Sequence, residues 1–78
     1  MKLEIRTPDQ SVFTGEANLV QLPGIDGLFE ILEHHAPLVA ALQKGRVKIQ
    51  SHDGKPQFFE INGGVAEVLQ DKILVLAE

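Results

Sequence analysis

The residues with the widest chemical range lie in Glu30-Ile31-Leu32-Glu33-His34-His35, with a third histidine, His52, further on. Two carboxylates and two imidazoles this close can ligate a divalent metal or run general acid–base chemistry. Adjacent side chains on an extended strand point to opposite faces. His34 and His35 therefore cannot both reach one ion unless the chain bulges or loops there. The plainer reading is a pair of loop histidines that shape the turn before Pro37. Asp26, Glu30 and Glu33 can be paired carboxylates, but no nucleophile or oxyanion donor stands near them in sequence, so they read as surface charge.

Other candidates fare similarly. Gly24, Gly27, Gly63 and Gly64 can cradle a phosphate only in a strand-to-helix context with a following Lys-Ser/Thr, which is missing; they read as turn glycines. Asp71-Lys72 resembles the hairpin-tip Asp-Lys of lipoyl carrier domains. Those carriers place the lysine mid-chain, whereas Lys72 stands six residues before Glu78. Lys44, Arg46 and Lys48 form a basic stripe, the last two on one strand face. It suits an acidic partner or lipid head groups, or else a solvated sheet edge whose charges deter aggregation. No catalytic residue, cofactor site or metal site is expected.

Seventy-eight residues with no cysteine bound what can position any site. The chain is one domain at most, without disulfides or thiolate ligands. A domain of this size buries roughly 60% of the surface its unfolded chain exposes, so a flat binding face is easier to build than a deep cleft. A net charge of −4 argues against a nucleic-acid module, and with four Phe and no Trp or Tyr there is little for base stacking. The start, MKLEIRTPDQ, has no long apolar run and reads as neither signal peptide nor anchor.

The periodicity is that of strands. Lys2–Arg6, Glu16–Leu22, Arg46–Gln50 and Gln57–Ile61 alternate apolar and polar residues. Ser11–Thr14 carries Val12 and Phe13, and Gly15 punctuates it. Pro23-Gly24 through Gly27 reads as a loop of about five residues. Helical offsets run from Leu28 to Leu42, but Pro37 inside a helix costs about 3 kcal/mol. Two short strands separated by Glu33-His34-His35 are the better reading. Asp53-Gly54 marks a hairpin, Asn62-Gly63-Gly64 a tight bend, and Val65–Leu69 pairs with Lys72–Leu76 across Gln70-Asp71. The expected fold is all-β: a small antiparallel β-sandwich or flattened barrel of about nine to ten short strands, spanning residues 1–78. Leu19, Leu28, Val39, Phe58, Leu74 and Leu76 fall opposite the presumed core, which suggests a face offered to a partner.

Four blocks in order resemble the N-terminal β-sandwich domain of the epsilon subunit of F-type ATP synthase. They are Met1–Pro8 with Val12–Glu16; Leu22–Gly27; His35–Leu42 with Lys44-Gly45; and Gly63–Val68 with Asp71–Ala77. Glu30 stands where the family often has Gly, and Glu33-His34 where it often has Pro-Gly or Pro-Asn.

The resemblance implies a non-catalytic rotor part of the central stalk, linking the gamma shaft to the membrane c-ring and helping couple proton flow to ATP synthesis. It implies ring contact through Gly24, Ile25, Asp26, Gly27 and Leu28 with Glu30, His34 and His35, and gamma contact through Leu19, Val39, Phe58, Leu74 and Leu76. It places the chain at the cytoplasmic face of a bacterial inner membrane. Many members continue into a two-helix hairpin that can inhibit hydrolysis or bind ATP; neither activity is expected within residues 1–78. The competing reading is a carrier or scaffold β-domain of another complex.

Overall fold

Most alternating segments become strands, but Glu16–Leu22 is broken at Ala17-Asn18 and divides between two of them. The computed structural model describes residues 1–78 and contains nine strands. They are β1 (Lys2–Arg6), β2 (Ser11–Glu16), β3 (Leu19–Gly24), β4 (Gly27–Leu32), β5 (Leu38–Leu42), β6 (Gly45–Gln50), β7 (Pro56–Ile61), β8 (Gly64–Val68) and β9 (Lys72–Ala77). One continuous sheet runs β2-β1-β9-β8-β5-β3-β6-β7, with β4 on the other edge of β3. It curls on itself where β5 meets β3 at the single pair Gly24–Leu42. The result is two layers, β2-β1-β9-β8-β5 and β7-β6-β3-β4.

Three features depart from the sequence reading. The loop expected over Pro23–Gly27 is shorter, because Pro23 and Gly24 are buried members of β3 and only Ile25-Asp26 turn. Gly15 does not punctuate; it continues β2 opposite Leu3, and the break falls at Ala17-Asn18. The sheet is not wholly antiparallel either: β1 runs parallel to β9, from Lys2–Lys72 to Arg6–Leu76.

Inward residues of both layers make one core. Leu3 and Ile5, Val20 and Leu22, Val47 and Ile49, and Ile73 and Val75 are all essentially inaccessible, and no polar or charged residue is buried. Burying each such aliphatic side chain contributes about 1.5–3 kcal/mol. Phe13 of β2 and Phe59 of β7 meet with ring centroids 5.3 Å apart. That contact brings together the two end strands of the path, which share no ladder pairing.

The turns gather at two poles. Thr7–Gln10, Ile25-Asp26, Gln43-Lys44 and Asn62-Gly63 lie at one; Ala17-Asn18, 33–37, 51–55 and 69–71 lie at the other.

Gly64 shows how tightly the β8 entry is built. Its φ is +143°, and an added Cβ would fall inside the Leu76 carbonyl and 3.0 Å from Ala77 Cα. Gly54, at φ +78°, faces open space. Gly64→Ala is expected to lose more than about 3 kcal/mol in urea unfolding, against about 1 kcal/mol for Gly54→Ala. Equal losses would contradict this packing.

Candidate functional site

The β3–β4 hairpin carries exposed hydrophobic residues at the first pole. Ile25 and Leu28 are 60% and 67% exposed beside Asp26 and Gly27. Their position is set by a corner. Ile25 N–H donates to Ala41 O at 3.1 Å, and Gln43 N–H donates to Pro23 O at 2.8 Å. The Gln43 side chain donates to Gly24 O at 2.8 Å. Gly24 and Gly45 allow the approach: a Cβ on Gly24 would sit 2.8 Å from Gly27 O, and one on Gly45 2.8 Å from Pro23 Cβ. Between this tip and Val39–Ala41 of β5 lies an open, mostly apolar groove of about 410 Å³.

The expected ring-contact residues do not form one compact site. Gly24–Leu28 lie at the tip, and Glu30 lies midway along β4, where it accepts a hydrogen bond from Gln21 Nε2 at 3.3 Å. His34 and His35 lie at the opposite pole, because Leu32 pairs with Leu19 while Gly27 pairs with Gly24. Six residues of strand, about 20 Å at the usual rise, separate the two groups.

At that second pole His34 adopts a left-handed conformation, φ +66°. Nothing in the sequence pattern announced this. The His35 ring donates from Nδ1 to Ala36 O at 2.7 Å. Glu33 receives the Met1 amino group at 3.3 Å, and His52 is held by Asn18 Nδ2 at 3.1 Å. No group of three or more metal-ligating side chains converges.

The five expected gamma-contact residues divide between the two layers. Val39, Leu74 and Leu76 lie on the outer face of β5-β8-β9, where register sets Val39 beside Glu67, and Glu67 beside Leu74. Leu19 and Phe58 lie on the outer face of the β4-β3-β6-β7 layer. Val65, paired with both Ala41 and Leu76, extends the first patch. The buried alternation Ala66, Val68 was the signal that could have found it. Val39 is 70% exposed and Leu76 50%.

The basic stripe is not an edge, since β6 lies between β3 and β7. Arg46 stacks on Phe58, its Cζ 4.7 Å from the ring centroid, and pairs in register with Glu60. Lys48 lies in register with Gln21, which binds Glu30. This face is mixed in charge rather than basic. Lys72 flanks the β8–β9 turn beside Lys2 rather than occupying its apex, so it does not mimic a carrier lysine.

Known proteins similar to this chain agree with one another. Residues 1–78 match the family model for the β-sandwich domain of the ATP synthase delta/epsilon chain. The ATP synthase epsilon chain of Chlorobium limicola is 46% identical over 99% of this chain and 88% of its own length. That of Dehalococcoides mccartyi strain CBDB1 is 43% identical over the whole chain, which spans 55% of that relative. Among solved structures, one chain of the Euglena gracilis mitochondrial ATP synthase superposes with a TM-score of 0.89 at 21% identity. The match covers 96% of this chain and 48% of that one.

The 51–55 loop gives a local electrostatic test. The Lys55 backbone N–H, at 3.1 Å, and the Ser51 hydroxyl, at 2.9 Å, hold the Asp53 carboxyl below the usual aspartate range. A depressed pKa stabilises the fold above the ordinary aspartate value, and that contribution is lost as pH falls through the folded pKa. Carbon-detected NMR titration should give an Asp53 midpoint below that of a model peptide, and Ser51→Ala should raise it. An unchanged midpoint in the variant would break the assignment.

Proposed function

The chain belongs to the ATP synthase delta/epsilon β-sandwich family, and from that premise we propose that it serves as the epsilon-type, non-catalytic rotor subunit of an F-type ATP synthase. The observation that carries this is the match across all of residues 1–78 together with 46% identity to an epsilon chain it covers to 88%. The subunit links the gamma shaft to the membrane c-ring within the F1 sector and helps couple proton translocation to ATP synthesis. In a bacterial cell that puts it at the cytoplasmic face of the inner membrane.

The two apolar regions support a division of labour. Val39, Val65, Leu74 and Leu76 form the apolar face suited to gamma, with Leu19 and Phe58 of the other layer as a lesser contact. The corner-held tip Gly24–Leu28, with Glu30 behind it, suits the loops of the c-ring. Asp26 is the charge nearest that contact, available to a basic or polar ring residue. A ring contact that also includes His34 and His35 runs the length of β4. Close-packed interiors transmit strain, so a core without buried polar groups and with short turns suits a torque-bearing part.

The test is affinity purification of the tagged chain from detergent-solubilised membranes, with mass spectrometry of its companions. Gamma, alpha, beta and c-subunits are expected to co-purify, and recovery of none of them would contradict the reading. Leu76→Asp, on the proposed gamma face, should reduce gamma recovery at least tenfold, the equivalent of about 1.4 kcal/mol. Undiminished recovery would remove that face from the interface. Calorimetric titration of residues 1–78 with ATP should show no saturable heat; tight binding would assign the domain a nucleotide site that this reading does not contain.

A further inference from the structure

Asn62 and Gly63 make the bend between β7 and β8. The Asn62 side chain is exposed. Gly63 has φ +134° and no Cβ to obstruct its own nitrogen. Its carbonyl accepts the Glu78 N–H at 3.0 Å, but its amide N–H donates to no group in the chain. A buried backbone N–H without a partner is uncommon and costs free energy. Here an unengaged backbone nitrogen directly follows an exposed carboxamide.

We infer that Asn62-Gly63 is a spontaneous deamidation site, a covalent modification separate from the rotor role. The Gly63 nitrogen attacks Asn62 Cγ and its proton leaves with the carboxamide nitrogen as ammonia, closing a five-membered imide. Water then opens the imide at one of its two carbonyls. One opening gives an aspartate with the normal main chain. The other gives an isoaspartate, with the main chain routed through Cβ and Cγ. No oxidant or reductant is involved; water is consumed and ammonia released.

Related positions are guarded. In Asp53-Gly54 the Gly54 N–H already donates to Ser51 O at 2.9 Å, and the Asp53 carboxylate accepts from Ser51 and Lys55. A carboxylate, at Asp26-Gly27 as well, is a poorer electrophile than a carboxamide. Asn18, the other asparagine in the chain, is bonded to His52 and followed by Leu19, which pairs with both Leu32 and Gln50.

The product matters because β8 begins immediately after the bend. Gly64 pairs with Leu42 on one side and Ala77 on the other. An extra main-chain atom two residues before Gly64 disturbs the entry of β8 between β5 and β9. Either product adds a negative charge at the pole that carries Asp26, beside the Glu78 side chain.

The test is to age the folded chain in mildly alkaline buffer and map its peptides by mass spectrometry. A carboxyl methyltransferase specific for isoaspartate serves as the second readout. Asn62 is expected to show the mass shift of amide-to-acid exchange, with isoaspartate, before any change at Asn18 is detectable. The aged fraction should lose thermal stability, whereas Asn62→Asp, which adds only the charge, should lose less. Asn62→Gln should abolish the signal. Persistence of Asn62 in the folded chain would overturn the inference, whether or not a urea-unfolded sample converts; so would conversion of Asn18 at a matching rate.

Discussion

The corner at Pro23, Gly24 and Gly45 is the constraint on which the remaining architecture depends. Here β3 leaves its pairing with β6 and meets β5 through Gly24–Leu42. The two layers face each other because the sheet can curl at this point. The curl needs close backbone approach, and any side chain at Gly24 or Gly45 would collide with Gly27, Phe29 or Pro23. The same hydrogen bonds that fix the corner hold the Ile25-Asp26 turn at a defined height above β5. A structural necessity and the proposed contact surface therefore share the same residues.

From that corner outward, strand alternation does two things at once. Inward residues fill one apolar core without a buried polar group. Outward residues would be expected to be polar throughout, yet Val39, Val65 and Leu76 stay exposed on one layer and Leu28 and Phe58 on the other. The chain presents 4805 Å² of surface. Two interfaces of standard size, about 800 Å² on each partner, would occupy roughly a third of it. A body only 27 × 23 × 19 Å can thus hold two partners apart on different surfaces while remaining stiff between them.

Strand existence was legible from the alternation, and the turn residues marked most connections. Most of the strands need only period-two patterning and a following Gly, Pro or Asp-Gly to be found. Where the reading failed, a tertiary contact overrode a local signal. Pro23-Gly24 has turn chemistry, yet both residues belong to β3 because β5 and β6 wrap around them. The parallel β1–β9 pairing joins opposite ends of the sequence, and no local pattern encodes such a register. The candidate surfaces were legible as residue types but not as groupings. Alternation tells which side of a strand a residue occupies, not which layer the strand joins, so it cannot separate Leu19 and Phe58 from Val39, Leu74 and Leu76. Likewise the nearness of Asp26 to His34 in sequence concealed the length of β4 between them.

The central claim is that two separate surfaces, the tip and the β5-β8-β9 face, are covered in the assembled synthase while the 51–55 loop stays open. The chain has no cysteine, so each single-cysteine variant carries a unique label site. The most direct measurement is maleimide labelling of Asp26→Cys, Leu76→Cys and Lys55→Cys in the free chain and in purified synthase. All three should label in the free chain. In the assembled complex Asp26→Cys and Leu76→Cys should become protected, and Lys55→Cys should label as before. Continued labelling of the first two, or protection of Lys55→Cys alone, would contradict the account.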